Sequence, residues 1–419
     1  MGNPFVPTLG YTPPHLVGRD EIIEDFRDGL ETGPGHPSRI MLVSGARGTG
    51  KTVMLNVLES EAEAVGWRTI RLSTRPGMAR ELVESRLPSL MRELDVEPRS
   101  GRHISNVGVS VLGFGGNVGV HTADPAAPVP NLLLELEAVT SALAKREQGL
   151  LLTIDEVHRS AADDLRTIAQ DVQVVFGKQL PVAIITAGLP AAVSDLLNDD
   201  VLTFLRRAER YELGPVGLEQ VKDALVTPIK EAGRSITPEA LEIAAAGTQG
   251  YPFLIQSIGF DTWRAARDSG EISAEHAELG IRKAMRRIGS ALHEPSLHGL
   301  SNADKSYLAA MAVDDGPSHT GTVAERLGVS SSYASAYRAR LIEAGLIEQT
   351  SYGYVGFKIP YLRDYLREHV AVEALQRSRS ALSAADLRAK LSESIARQTD
   401  LPAPAPREAR SPNPPHLPR

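Results

Sequence analysis

Residues 40–52 read Ile40-Met41-Leu42-Val43-Ser44-Gly45-Ala46-Arg47-Gly48-Thr49-Gly50-Lys51-Thr52. An apolar run with the length of a buried strand enters a glycine-rich turn of the form G-x-x-x-x-G-K-T. Helical spacing follows over about 51–64. The glycines let successive backbone N–H groups point inward, which makes an anion nest at a helix N-terminus. Lys51 supplies a point charge for β- and γ-phosphates, and the Thr52 hydroxyl a ligand for Mg2+. Gly45, Ala46, Arg47, Gly48, Thr49, Gly50, Lys51 and Thr52 are therefore the candidate phosphate-binding residues. A chance glycine turn does not account for this spacing between a strand and a helix.

About 100 residues downstream, Leu150-Leu151-Leu152-Thr153-Ile154-Asp155-Glu156 is an apolar run that ends in two acids. Asp155 is placed to hold Mg2+, directly or through water, and Glu156 to orient the attacking water. Glu156 argues for hydrolysis rather than transfer to a specific acceptor. Two acids at a strand end could also be a solvated loop, but the upstream loop gives them a partner. His158 reads as a neighbouring or surface residue, not a metal ligand.

Around these two motifs, strand and helix patterns alternate. Residues 67–72, 150–154 and 182–186 are further strand candidates, separated by helical patterns over 132–143 and 163–176. From Asp20, Ile22, Ile23, Phe26 and Leu30 recur at helical spacing, and Gly33-Pro34-Gly35 stops that helix. The alternation argues for an α/β fold whose parallel sheet is covered by helices. One piece breaks it: Val107, Val109 and Val111, a turn at Gly113–Gly116, then Val118 and Val120. This reads as a hairpin inserted at 103–122, edging the sheet or touching a partner.

Composition narrows the classes. A chain of 419 residues has room for two to three domains. It has no cysteine, which excludes disulfides, thiolate zinc sites and a cysteine nucleophile, and fits a cytoplasmic location. The net charge of −7 excludes a globally basic nucleic-acid coat, so any such contact needs a local patch. No apolar run is long enough to span a membrane, and no signal-peptide pattern opens the chain.

The sequence resembles an AAA+ ATPase over about residues 14–290. It is similar to the branch shared by origin-recognition-type initiators, archaeal ATPases and signal-transducing STAND NTPases. Besides the two motifs above, Leu16-Val17-Gly18-Arg19-Asp20 matches the branch's leading "hxGRx" segment. The resemblance implies that Val17, Gly18 and Arg19 lie near the adenine of bound ATP. It implies that Thr186 is the sensor-1 residue facing the γ-phosphate, where many members carry Asn. Gly250-Tyr251-Pro252-Phe253 resembles the "GxP" element, in which Pro252 packs against nucleotide from a helical lid. The same residues could be a turn before the helix at 254–267, since Pro suits a first helical turn. Arg206, Arg207 and Arg210 stand where such proteins place an arginine finger for a neighbouring subunit. They could equally be solvated arginines of a helix surface.

The segment 297–369 has a different pattern. Ser301-Asn302-Ala303-Asp304 reads as a capping box. A short helix ends at Leu327-Gly328, a tight turn follows at 329–332, and a helix runs to Glu343. Leu346–Glu348 and Tyr354–Lys358 then flank a turn at Ser351-Tyr352-Gly353. The order resembles a winged helix-turn-helix, whose last helix enters the major groove of duplex DNA. Ser331, Ser332, Tyr333, Tyr337, Arg338 and Arg340 are the candidate DNA contacts. Seven basic and eight acidic side chains leave this segment at −1, so a protein-binding module is the competing reading.

The expected organisation is an irregular arm at 1–15, a P-loop ATPase domain at 16–215 and a helical lid at 216–292. A winged helix follows at 297–369 and an Ala/Pro-rich tail at 376–419. The expected activity is hydrolysis of ATP to ADP and phosphate, with nucleotide state setting DNA association or assembly. The alternative is a slow switch or scaffold that binds protein, including a second copy of the chain.

Overall fold

The structure, a computed structural model, describes residues 2–96, 131–198 and 203–377. The expected hairpin at 103–122 and most of the expected tail lie outside the described residues. The chain divides into two compact units, one principally Met1–Glu294 and the other principally Pro295 onward.

The first unit begins with an arm without regular structure and then α1 (Asp20–Thr32). Strand β1 (Ile40–Gly45) leads through the glycine-rich loop into α2 (Lys51–Ala64), and β2 spans Arg68–Ser73. Helices α3 (Met78–Glu81) and α4 (Leu87–Glu93) are joined by a π-helical turn at Leu82–Arg86. Then come α5 (Leu132–Ala144), β3 (Leu150–Val157), α6 (Ala162–Gly177) and β4 (Val182–Gly188). Helix α7 (Pro190–Asn198) precedes β5 (Glu209–Leu213).

These strands form a five-stranded sheet in the order β2-β3-β4-β1-β5. Every pairing in it is parallel. The central strand β4 is buried at every residue, as a sheet covered on both faces requires. The edge strands β2 and β5 carry charges such as Arg68, Arg71, Glu209 and Glu212, which disfavour pairing with another chain.

Strand alternation sorts the core into two layers. Ile40, Leu42, Leu150, Leu152, Ile154 and Ile184 face Leu136, Leu165 and Val172 of α5 and α6. Met41, Val43, Leu151, Ala183 and Ile185 face Phe26 of α1 and Met54, Leu55 and Leu58 of α2. Thus the loop after β1 is set at the carboxyl rim of the sheet, on the α2 side, where parallel sheets bind ligands.

Four helices complete this unit: α8 (Leu218–Glu231), α9 (Pro238–Gly247), α10 (Pro252–Ala265) and α11 (Ala274–Ile288). A two-residue parallel pairing of β6 (Ser235–Ile236) with β7 (Glu271–Ile272) ties their connections. The arm is irregular yet anchored. Phe5 is 1% exposed and lies on α10 at Gly259. The Asn3 side chain donates to the Phe260 carbonyl (3.0 Å), and the Val6 N–H donates to Gln256 (3.1 Å). Farther along, Asn56 of α2 donates to the Gly10 carbonyl (3.0 Å) and to Thr12 (3.1 Å). The arm therefore bridges α10 and α2, the helix behind the phosphate loop.

After α12 (Glu294–His298), the second unit comprises α13 (Asn302–Ala312), β8 (Ser318–His319), α14 (Thr320–Leu327) and α15 (Ser331–Glu343). Strands β9 (Ile347–Ser351) and β10 (Tyr354–Phe357) and helix α16 (Leu362–Arg377) follow. The sheet order is β8-β10-β9, antiparallel throughout. The capping box at Ser301 and Asp304 forms as expected. Among the described residues, no helix is long and apolar enough to cross a membrane.

Candidate functional site

The phosphate loop owes its shape to two glycines. Gly48 has φ +79° and Gly50, which caps α2, has φ +94°, a region that side chains disfavour. Their conformation turns the chain so that α2 starts at Lys51 with its first N–H groups open. Lys51 Nζ lies 2.9 Å from the carbonyl oxygens of Gly45 and Ala46, to both of which it donates. Thr49 is buried, and its hydroxyl also donates to Ala46 (2.8 Å).

Burial lowers the Lys51 pKa to about 8, and the positive Arg47 adds to that. The carboxylates of Asp155 and Glu156 oppose it, so β3 brings both acids into electrostatic range of Lys51. Strands β1 and β3 both flank β4, with Ser44 and Val157 each opposite Gly188, so the two motifs end at the same rim of the sheet.

Asp155 shares the strand face of Leu151 and Thr153, the face covered by α2. Thr74 at the end of β2 holds its carbonyl oxygen (2.7 Å). The pairing of β3 with β4 shifts between Ile154 and Val157, and Glu156 in that irregularity has φ +54°. A bulge re-aims the side chains it contains. Here it leaves Glu156 exposed while Val157 returns to the core. The Glu156 N–H donates to Asp155 Oδ1 (2.9 Å), which fixes that carboxylate locally.

The leading segment also reaches the rim. Arg19 donates to the carbonyl of Gly214 just after β5 (2.7 Å) and to that of Gly18 (3.0 Å). Gly18 is seated against Val216 and Gln220. The Val216 N–H donates to the Gly250 carbonyl (2.7 Å), so 17–19, 214–216 and 250–252 converge. Arg19 thus fastens the segment in place. Pro252 opens α10, and beside it Tyr251 reaches the phosphate loop itself: its hydroxyl donates to the Arg47 carbonyl (2.5 Å). Sequence reasoning passed over Tyr251. The only signal was its place inside the Gly-x-Pro element.

Other expected residues are placed differently. Thr186 is 1% exposed and lies on the sheet face of Ile154 and Ile184, across the sheet from α2. Strand parity therefore does not support a direct phosphate contact for it. Its hydroxyl has no hydrogen-bond partner among the described residues. Arg206 donates to the Leu197 carbonyl (3.0 Å), and Arg210, on β5 rather than a helix, donates to the Arg206 carbonyl (2.9 Å). Arg207 is exposed, and among the described residues no partner is assigned to it.

In the second unit, Ser331, Ser332 and Tyr333 are exposed on α15 and Arg338 is half-buried. Tyr337 is not on the outer face. It is buried, with its ring edge-on to Tyr333 at 5.1 Å, because the core-facing positions of α15 are Ala334, Tyr337 and Leu341. Arg340 lies over the Tyr337 ring (4.6 Å) and pairs with the buried carboxylate of Asp304 (2.7 Å). Arg326 grips Asp314 through two hydrogen bonds (2.6 and 2.8 Å). Arg363 donates to the carbonyls of Asp315 and Gly316, and Arg367 to that of Ala312. Four of the segment's seven basic side chains thus hold its own backbone and carboxylates.

Residues 15–185 match the family described as an AAA ATPase domain, and residues 290–366 match a domain of unknown function (DUF8462). No curated protein matches the chain in sequence. Among solved structures, the chain is similar to the ORC2 protein of Aeropyrum pernix in its ADPNP–ADP complexes. The two are 14% identical, with 89% of this chain and 98% of that one covered at a TM-score of 0.58. It is also similar to a Walker-type ATPase of Pyrococcus abyssi, 15% identical, covering 84% of this chain and 96% of that one at a TM-score of 0.58. At such identities the likeness shows the fold alone.

Proposed function

We propose that this chain, whose residues 15–185 form an AAA ATPase domain, binds ATP with Mg2+ and hydrolyses it to ADP and phosphate. The observation that carries the reading is that the strand register brings the start of α2, with Lys51, and the end of β3, with Asp155 and Glu156, to one rim of the sheet. The loop amides and Lys51 bind phosphate oxygens, and Thr52 and Asp155 hold the metal. Mg2+, when bound, neutralises charge on the phosphate oxygens. Glu156, exposed and turned out by the bulge, orients the water that attacks. The ORC2 relative in fold was solved with ADPNP and ADP, which supports a nucleotide here. Phosphate release by the purified protein, with and without Mg2+, tests the reading. Glu156→Gln should keep nucleotide and lose turnover; wild-type turnover in that variant would remove Glu156 from the reaction.

The order helix–strand–helix–helix–strand–strand in the second unit supports a winged helix, which we read as the output module of a nucleotide switch. The resemblance to a winged helix-turn-helix points to duplex DNA as its partner. The internal engagement of Arg326, Arg340, Arg363 and Arg367 favours a protein instead, since phosphate contacts need free cations. Exposed aromatics on the same unit, Tyr333, Tyr352 and Tyr354, suit a protein surface. Titration against duplex DNA at several salt concentrations separates the two. Tight binding at low salt that weakens steeply as salt rises would restore the DNA reading.

A further inference from the structure

A phosphate-binding loop has a structural problem that its ligand does not solve. To aim N–H groups inward, it must turn carbonyl oxygens outward, and those need donors of their own. In this loop the carbonyls of Gly45 and Ala46 are held by Lys51, and that of Ala46 also by Thr49. Lys51 is the side chain expected to leave for the phosphates when nucleotide arrives. The carbonyl of Arg47 is held from outside the loop, by the hydroxyl of Tyr251 at 2.5 Å.

Tyr251 is well fixed for that task. It is 1% exposed and sits at the cap position of α10 with extended backbone (φ −82°, ψ 120°). Its own N–H donates to the Thr248 carbonyl (2.9 Å), and its carbonyl accepts from Leu254 (2.9 Å) and Ile255 (3.0 Å). Thr248, fully buried, braces the preceding turn by accepting from the Gly250 N–H (3.0 Å). The ring lies against Gly48, where a Cβ would come 3.0 Å from Tyr251 Cε1. Burial also raises the pKa of the phenol, so it remains a donor across the working pH range.

We propose that Tyr251 is a positioning residue of the nucleotide site, holding the outer carbonyl of Arg47 and the flank of Gly48 so that the loop amides stay turned inward. This rests on reading the site as one for nucleotide. Because the donor comes from the cap of α10, the outer face of the loop depends on that helix staying packed against it. Tyr251 touches no reacting atom, so it acts on binding rather than on the chemical step.

Tyr251→Phe keeps the ring against Gly48 and deletes the hydroxyl. The expected result is ATP and ADP binding weakened roughly two- to twelvefold, the effect of losing one part-buried hydrogen bond to the loop. KM for ATP should rise by a similar factor while kcat at saturation stays near the wild-type value. Hydrogen exchange at the amides of residues 47–51 should quicken in the nucleotide-free variant. Wild-type affinity and wild-type exchange in the variant would overturn the proposal. If the wild-type protein itself binds no nucleotide, the reading of the site fails. Faster exchange in Tyr251→Phe would then still uphold the hold on the loop, and unchanged exchange would overturn it.

Discussion

Phe5 rests on the bare backbone of Gly259: a Cβ there would lie 2.6 Å from Phe5 Cδ1. No side chain fits between the arm and α10. The contact links the arm to α10, and Asn56 links the next part of the arm to α2. Truncating Phe5 to Ala should cost about 3 kcal/mol, the scale for a buried aromatic ring. Gly259→Ala should displace the arm from the other side. Both are checked by thermal unfolding and by hydrogen exchange at Val6, whose N–H is bonded to Gln256. Unchanged exchange in both variants would show that the arm is not held by this contact.

Lys51→Ala should weaken ATP binding at least about a hundredfold, because charge-assisted bonds to phosphate are lost together. It also removes the Lys51 donor from the Gly45 carbonyl and leaves that of Ala46 to Thr49, so a modest fall in melting temperature should accompany it. Calorimetric titration with ATP and Mg2+ decides the matter. Retained affinity would place the phosphates elsewhere.

Glu156 occupies a left-handed backbone conformation at φ +54° that costs a side-chain-bearing residue about 1 kcal/mol. Glu156→Gly should therefore raise the melting temperature slightly while abolishing turnover. Glu156→Gln should abolish turnover without the gain. A fall in stability for the glycine variant would mean that the side chain stabilises the fold.

Arg207 is the arginine best placed to act on a neighbouring copy, since Arg206 and Arg210 are bonded locally. Arg207→Ala should reduce turnover by about a thousandfold if it serves as a finger. Mixing that variant with Glu156→Gln should then restore part of the activity, because each supplies what the other lacks. No recovery on mixing would argue against action between subunits.

Hydrogen bonds from Arg326 hold the Asp314 carboxyl below its ordinary pKa of 3.8. A carboxyl with a lower pKa when folded binds fewer protons in that state, so acid favours unfolding. The stability it contributes is present above about pH 4 and disappears as pH falls through the lowered value. Asp314→Asn should be less stable than wild type at neutral pH and converge with it in acid. Circular dichroism melts between pH 7 and 2 would show this, and parallel pH profiles would contradict it.

Local spacing determined a good deal of this protein. The strand, loop and helix at 40–64, the acids at 155–156 and the alternation behind the parallel sheet follow from periodicity and from backbone needs that neighbours in sequence meet. So does the capping box at Ser301. Tertiary structure alone decided the rest. Thr186 falls on the sheet face away from α2, a matter of one residue in strand register. Tyr337 reads as a surface tyrosine until α15 is rolled onto its core. Arg340 reads as a free cation until the buried Asp304 is found beneath it. Tyr251 and Arg47 are 204 residues apart, and no local pattern reports that their atoms meet. A hydrogen bond between distant segments depends on how whole elements pack, and that information is spread over the entire chain.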